Sequence, residues 1–157
     1  MAHELGHLVL GESSHSSEGI MTETLQKKHF EQANKGKLLF RAEEAQRMRV
    51  RCTMNSALAH HPVESYTQIT VRVYNYATVS PDTLTSVKNG ASLIFQQAGI
   101  DTSWLDCRRA LSNSPVPQQC QEPSGPTDVV LRIVLEPKSD GDRMALSGLG
   151  FAFAEGM

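Results

Sequence analysis

Residues 3–21 read HELGHLVLGESSHSSEGIM, and this stretch is the most informative part of the chain. Its apolar residues predict a helix over residues 3–10 that ends where Gly11 allows the backbone to turn. Residues four apart lie on one face of a helix, so His3 and His7 can direct two imidazole nitrogens at one point. Such a pair binds Zn²⁺ at about 2.0–2.1 Å. The stretch therefore predicts a metal site built on a helix.

Glu4 and His15 give this site the features of a catalytic centre. Glu4 lies on an adjacent part of the helix surface, where it can reach a metal-bound water without displacing it. Zinc lowers the pKa of such a water to about 7, and a carboxylate can then take its proton. His15 can return as a third ligand, and three protein ligands plus water are typical of catalytic zinc. The alternative is that H-E-x-x-H arises by chance on an amphipathic helix.

HELGHLVLGESSHSSEGIM resembles the zinc-binding stretch of the metzincins, most closely the matrixin type and its small bacterial members. The family pattern is H-E-x-x-H-x-x-G-x-x-H followed by a methionine-bearing turn under the metal. In this chain Gly11 falls one residue later than in the pattern and His15 two residues later. The resemblance implies zinc ligands His3, His7 and His15, general base Glu4 and Met-turn residue Met21. A different third ligand, with His15 as a bystander, is the alternative.

The resemblance also implies a function. The chain would be a zinc-dependent endopeptidase that hydrolyses peptide bonds through a zinc-bound water activated by Glu4. Its partner would be a peptide or protein substrate, which would pair in extended form with residues 148–156 (GLGFAFAEG). The resemblance also implies that the protein is secreted or periplasmic. The alternative is a non-catalytic zinc-binding or interaction domain derived from a metallopeptidase, because His3 falls in the first, fraying turn of its helix. A neighbouring chain could complete that helix in a swapped homodimer.

Hydrophobic periodicity predicts an α/β (α+β) fold for the whole chain, as a single domain over 1–157. Apolar residues recur at helical spacing from Leu38 to Cys52. In QITVRVYNYA they alternate with Arg72 and other polar or aromatic residues, which predicts a strand with one buried face. The predicted later elements are a helix from Ser80 to Gly99, a strand in DVVLRIVLE and a last strand in LSGLGFAFAEG. A linker is predicted between the two halves, over residues 53–67.

The order of these elements resembles a circularly permuted metzincin. In matrixin-like domains a first strand and a long helix precede the zinc helix, whereas here their counterparts follow it. The resemblance implies a zincin-like mixed, twisted sheet of about three or four strands, packed with the active-site helix, the long first helix and a closing helix. Residues 1–52 would hold the zinc helix, Met-turn and closing helix, and residues 68–157 a part with the order strand, helix, strand, strand. The alternative is a rearranged or incomplete gene product.

The overall composition excludes several classes of protein. The net charge is −2 and 20% of the 157 residues are charged, which excludes an electrostatic nucleic-acid binder. No apolar stretch is long enough to span a membrane, so no membrane partner is expected. The first residues, MAHELGH, have neither a basic n-region nor an apolar h-region, and no signal peptide is visible in this chain.

The three cysteines leave two readings open. Cys107 and Cys120 flank a loop rich in Pro, Ser and Gln, and a disulfide between them would contribute about 3 kcal/mol in the chain-entropy model. It would also imply an oxidising compartment, with Cys52 left over. Three reduced thiols in a cytosolic protein are equally compatible with the spacing.

Four other residues are assigned structural roles. His29 lies in a polar stretch and is expected at the surface. Trp104 is expected to pack under the end of a helix. Tyr74 and Tyr76 share one face of a strand, where packing is favoured over catalysis.

Overall fold

The computed structural model describes residues 1–11, 14–58, 67–107 and 116–134. The elements of this part are α1 (Ala2–Leu10), α2 (Lys27–Asn34), α3 (Ala42–Leu58), β1 (Gln68–Asn75), α4 (Pro81–Gln97), β2 (Asp101–Asp106), a 3₁₀ turn (Gln118–Cys120) and β3 (Asp128–Ile133). It is a mixed α/β fold with a small parallel sheet, which confirms the predicted class at that level. None of the described helices is long and apolar enough to cross a membrane.

The sheet has the strand order β2-β1-β3, and both neighbours of β1 run parallel to it. Val71 marks the register, since it pairs with Trp104 of β2 and with Val129 of β3. Parallel neighbours need a crossover connection, and α4 provides it between β1 and β2. The strand predicted in QITVRVYNYA is thus the central strand of the described sheet.

β1 is covered on both faces, whereas the sequence pattern predicted one buried face. Arg72, on the predicted polar face, is buried because its guanidinium binds the loop before β3. Its Nε and Nη2 lie 2.8 Å and 2.5 Å from Asp128 Oδ2, and its Nη1 donates to the Glu122 carbonyl. Gly125 N–H also donates to the same carboxylate. A buried ion pair needs such additional hydrogen bonds to offset desolvation.

Helix α4 confirms the helix predicted from Ser80 to Gly99. The Ser80 side chain accepts a hydrogen bond from Thr83 N–H, and a proline at the first helical position supports the start. Gly99 follows the helix with a φ of 76°, a conformation that favours glycine. Leu84 and Phe95 of this helix are buried, whereas the apolar side chain of Val87 is exposed.

One strand and one helix, β2 and α2, were not predicted. β2 has a polar residue at each end and a half-buried centre, so its sequence lacks the alternation that marks a strand. The Trp104 indole in it donates to Ser92 Oγ at 2.8 Å, so the tryptophan contacts the interior of α4 rather than the helix end that the sequence predicted. α2 has no apolar stripe in its sequence, KKHFEQAN.

The predicted linker over residues 53–67 is wrong in its first part. α3 continues to Leu58, and Thr53 Oγ1 donates to the Arg49 carbonyl one turn earlier, as polar residues inside helices often do. Residues 59–66 and the predicted last strand, with the proposed substrate-pairing segment 148–156, lie outside the described residues.

The structure joins Cys107 to Cys120 in a disulfide. Cys107 directly follows β2, so the bridge ties the end of that strand to the 3₁₀ turn. Cys52 is buried in α3 as a thiol, and burial raises its pKa. The buried thiol packs in the hydrophobic core.

Candidate metal centre

Helix α1 carries the site and is anchored by its apolar face. Leu5, Leu8 and Val9 are buried in the core, while His3 and His7 are half-buried on another side of the helix. The helix ends at Gly11, which has a φ of 99° and donates its N–H to the His7 carbonyl at 2.8 Å. The helix and its glycine stop agree with the prediction.

The structure brings His3, His7 and His15 together. Each offers a ring nitrogen, and these atoms all lie within 4.8 Å of one another. The ring centroids of His3 and His7 and those of His7 and His15 are 4.6 Å apart, and those of His3 and His15 are 5.7 Å apart. This spacing is close enough for the three imidazoles to bind one metal ion.

A backbone carbonyl determines the tautomer of His3. Its Nδ1 lies 2.7 Å from the Ile20 carbonyl oxygen, which can only accept a hydrogen bond. Nδ1 must therefore carry the proton, and Nε2 of the neutral ring keeps its lone pair.

Ser14 determines the tautomer of His7 in the same way. The buried Ser14 hydroxyl donates to the Gly11 carbonyl at 2.6 Å, so its oxygen is left to accept. His7 Nδ1 lies 3.1 Å from that oxygen and donates to it. The Nε2 of the neutral His7 ring therefore also carries a lone pair. Such outer hydrogen bonds hold metal-binding imidazoles in one orientation.

The two lone pairs face each other. His3 Nε2 and His7 Nε2 are 3.0 Å apart, a separation at which a shared cation is needed between them. A proton is disfavoured, because burial and then the charges of His3 and His15 lower the pKa of His7, with Glu4 opposing them. A metal ion satisfies both nitrogens without protonating either.

Met21 lies directly beneath α1 and is fully buried. A Cβ atom added to Gly6 would overlap Met21 Sδ and come within 2.9 Å of Phe40 Cε1. The turn that bears Met21 is held by a hydrogen bond in which the Met21 carbonyl accepts from Ser16 N–H at 2.9 Å. The absence of a side chain at Gly6 allows this turn to pack against the histidine helix.

Glu4 is half-buried on α1, and no hydrogen bond or ion pair engages its carboxylate among the described residues. Its negative charge raises the pKa of His7, which shows that the carboxylate lies within electrostatic reach of the histidines. Glu4 thus provides a carboxylate within electrostatic reach of His7 and of the Met1 ammonium.

Sequence reasoning missed the groups that orient the histidines. Ser14 is one of several serines in its loop, and nothing in the sequence distinguishes it from Ser13, Ser16 or Ser17. The Ile20 carbonyl is a backbone group and has no sequence signal at all.

The expectation that His29 lies at the surface is wrong. The residue is 5% exposed, and its Nδ1 accepts a hydrogen bond from Gln26 N–H at the start of α2. This is the third residue of the helix, the position from which a side chain can cap the preceding N–H. This hydrogen bond holds the His29 ring against the protein, which accounts for its burial.

In comparisons with protein-family models, curated proteins and solved structures, nothing matched the chain. The class of protein is therefore inferred from the histidine centre and from the residues that support it.

Proposed function

We propose that this protein is a zinc-dependent endopeptidase with a permuted, zincin-like fold of the matrixin type. The observation that carries the proposal is the pair of Nε2 lone pairs held 3.0 Å apart by bonds to Ile20 and Ser14, with His15 beside them. Neutral imidazoles oriented in this way are the usual protein ligands of zinc.

The donor set fits a catalytic ion better than a structural one. His3, His7 and His15 would hold the ion and leave a fourth position open, as in catalytic zinc sites. Imidazole also suits copper, iron and nickel, but an adjoining carboxylate outside the ligand set is the arrangement found in zinc hydrolases. Glu4 provides that carboxylate.

The residues of the chain would divide the chemistry between them. When bound, zinc supplies a Lewis acid that polarises a carbonyl and lowers the pKa of water. Glu4 accepts the proton of the attacking water and delivers it to the leaving amine. Ser14 and the Ile20 carbonyl keep the rings of His7 and His3 in place while the proton moves, and Met21 supports the helix from beneath.

The described architecture supports the zincin-like proposal. α1 packs against α3, α4 and β3, so the histidine helix lies among the counterparts of the closing helix, the long first helix and a strand of the sheet. The Cys107–Cys120 disulfide supports an oxidising compartment, in line with a secreted or periplasmic peptidase.

Two measurements on the purified chain test the proposal: its zinc content and its cleavage of an unfolded protein substrate. Glu4→Gln should retain stoichiometric zinc and lose turnover, because only the proton acceptor is removed. Glu18→Gln is the matched control, since Glu18 is exposed in the loop after His15.

The outcomes separate the two candidate functions. Turnover that survives Glu4→Gln contradicts the mechanism. Stoichiometric zinc with no cleavage by the unaltered chain favours the alternative, a zinc-binding or interaction domain without hydrolytic activity.

A further inference from the structure

An apolar groove of about 500 Å³ is lined by residues of α1, α2 and α4. Its walls include four apolar side chains that are exposed to solvent, namely Leu25, Phe30, Val87 and Leu93. Phe30 on α2 is 54% exposed and Leu93 on α4 is 61% exposed. Exposed apolar side chains gathered in one region of a surface mark an interaction site.

Lysines adjoin this groove along the segment that contains α2. Residues 25–37 (LQKKHFEQANKGK) hold four lysines and one glutamate, a formal net charge of +3, whereas the whole chain has a net charge of −2. All four lysines are exposed: Lys27 and Lys28 precede the groove residue His29, and Lys35 and Lys37 lie on either side of the groove residue Gly36. Among the described residues none forms an ion pair with these lysines, and no aspartate or glutamate lines the groove. The apolar region therefore has a positively charged border.

Helix α2 combines the apolar and the charged features. Successive residues of a helix are about 100° apart, which places Phe30 and Ala33 on the same side as the buried His29 and places Lys27 and Lys28 away from them. A helix with apolar residues on one side and lysines on the other is typical of proteins that bind the surface of a membrane.

We infer that this face binds the surface of an anionic lipid bilayer. The exposed apolar side chains of the groove enter the interface, and the lysines of residues 25–37 meet the phosphates of the head groups. The sequence argued against a membrane partner only because no stretch is long enough to span a bilayer, and binding to one face of a bilayer needs no such stretch. The inference does not depend on the proposed peptidase function. Because His3 also lines the groove, the bound bilayer lies beside the metal centre.

The charged residues favour a lipid surface over an acidic protein partner. All four cations are lysines, and a lysine ammonium is a compact, hydrated point charge on a flexible stem. Arginine is the residue that pairs with a protein carboxylate through two parallel hydrogen bonds. A fluid bilayer also conforms to the apolar side chains of several elements, whereas a folded partner would need a matching shape.

Co-sedimentation of the purified chain with lipid vesicles tests the inference. Vesicles made of equal amounts of phosphatidylglycerol and phosphatidylcholine should bind the chain. Vesicles of phosphatidylcholine alone should bind it more weakly by about tenfold or more, because they lack the negative surface potential that attracts lysines. Added salt should weaken the binding to the anionic vesicles, because it screens this attraction.

A double substitution tests the charged border. Lys27→Gln with Lys28→Gln should weaken binding to the anionic vesicles about 25-fold, at about fivefold for each lysine. The matched control is Arg47→Gln with Arg51→Gln, which removes the same charge from exposed positions of α3. The control should lose less than about threefold, because these arginines lie outside the groove and its border.

A second substitution tests the apolar contact. Phe30→Ser should weaken binding about tenfold, since the phenyl ring no longer enters the interface. Met54→Ser is the matched control, because Met54 is 65% exposed on α3 and does not line the groove. Far-UV circular dichroism shows that the variants are folded, as expected for changes at exposed positions.

Several results would overturn the inference. One is equal binding, or no binding, to the two kinds of vesicle. Equal losses in the lysine and arginine variants, or binding that is unchanged in Phe30→Ser, would show non-specific attraction of charges. Binding of a labelled amphipathic peptide of Glu, Ala and Leu, lost in Phe30→Ser and without any binding to vesicles, would assign the face to a protein partner. A dimer in gel filtration that Phe30→Ser dissociates would assign it to a second copy of the chain.

Discussion

His3 and His7 hold their Nε2 atoms 3.0 Å apart, and the Nδ1 of each ring is bonded to a different acceptor. Neither ring can turn its Nε2 away without losing the bond at Nδ1. The protein therefore maintains two lone pairs at one point, an arrangement that favours a metal ion over water or a proton.

Ser14→Ala should weaken zinc binding about 10- to 100-fold, as the loss of outer partners of metal-bound histidines does. The substitution removes the acceptor of His7 Nδ1–H, so the ring loses its fixed tautomer and orientation. Competition with a chromophoric chelator measures the affinity. Ser14→Thr, which keeps the hydroxyl, should restore it, and Ser17→Ala, at an exposed position, is the control. Equal zinc affinity in Ser14→Ala and the unaltered chain would show that the contact is incidental.

Gly6→Ala should destabilise the protein by about 1–3 kcal/mol, the usual range for overpacking. The added methyl group would overlap Met21 Sδ and crowd Phe40, so the turn beneath α1 would have to move. The matched control is Gly90→Ala in the interior of α4, where a Cβ meets no atom within 4 Å. That variant should gain about 0.5–1 kcal/mol from helix propensity. Urea unfolding measures both, and a Gly6→Ala variant as stable as Gly90→Ala would contradict the close packing of Met21.

The stability of the metal-free chain should fall as the pH is lowered through and below 6.5. Burial, together with the charges of His3 and His15, lowers the pKa of His7 from its ordinary value of 6.5, so the unfolded chain binds more protons than the folded chain in this range. The stabilising contribution of neutral His7 is therefore complete above that pH and lost below the folded pKa. Urea unfolding at several pH values with a chelator present measures it. His7→Gln should show a shallower slope, and identical slopes would exclude His7 as the source.

The sequence predicted the parts of the site that depend on local spacing. His3 and His7 follow from the geometry of one helix, and Gly11 follows from the need to end it. His15 needed a resemblance as well, because the five residues from Gly11 to His15 can place the last of them in many positions. The contacts that orient the rings involve a buried hydroxyl and a backbone carbonyl, and neither has a pattern that a single sequence displays.

For the fold, too, the sequence predicted the elements that local spacing determines and missed those that depend on distant contacts. β1 and α4 were predicted because their apolar periodicity is regular and α4 has clear start and stop residues. β2 was not, because its polar ends and half-buried centre reflect its place beside β1 rather than a local preference. Arg72 is buried because it binds Asp128, which is distant in sequence, and His29 is buried because it caps α2. Charge and polarity alone predicted that both residues would be exposed.

Asp128→Ala should destabilise the protein by about 3–5 kcal/mol, because it leaves the buried Arg72 guanidinium without its counter-ion. Replacing both residues together, as Arg72→Met with Asp128→Leu, should recover most of this loss, since no unpaired charge then remains in the interior. The free energy of unfolding in urea measures the single and double variants. The two single losses should not add, because the residues share one interaction.

The ion pair between Lys88 of α4 and Asp106 of β2 is the matched control. Asp106 is 63% exposed, so its charge stays hydrated whether or not the lysine is present. Asp106→Ala should therefore cost less than about 1 kcal/mol. If Asp128→Ala lowers the free energy of unfolding by no more than Asp106→Ala does, water must reach Arg72 in solution. The ion pair of Arg72 and Asp128 would then not hold the loop before β3 against the central strand.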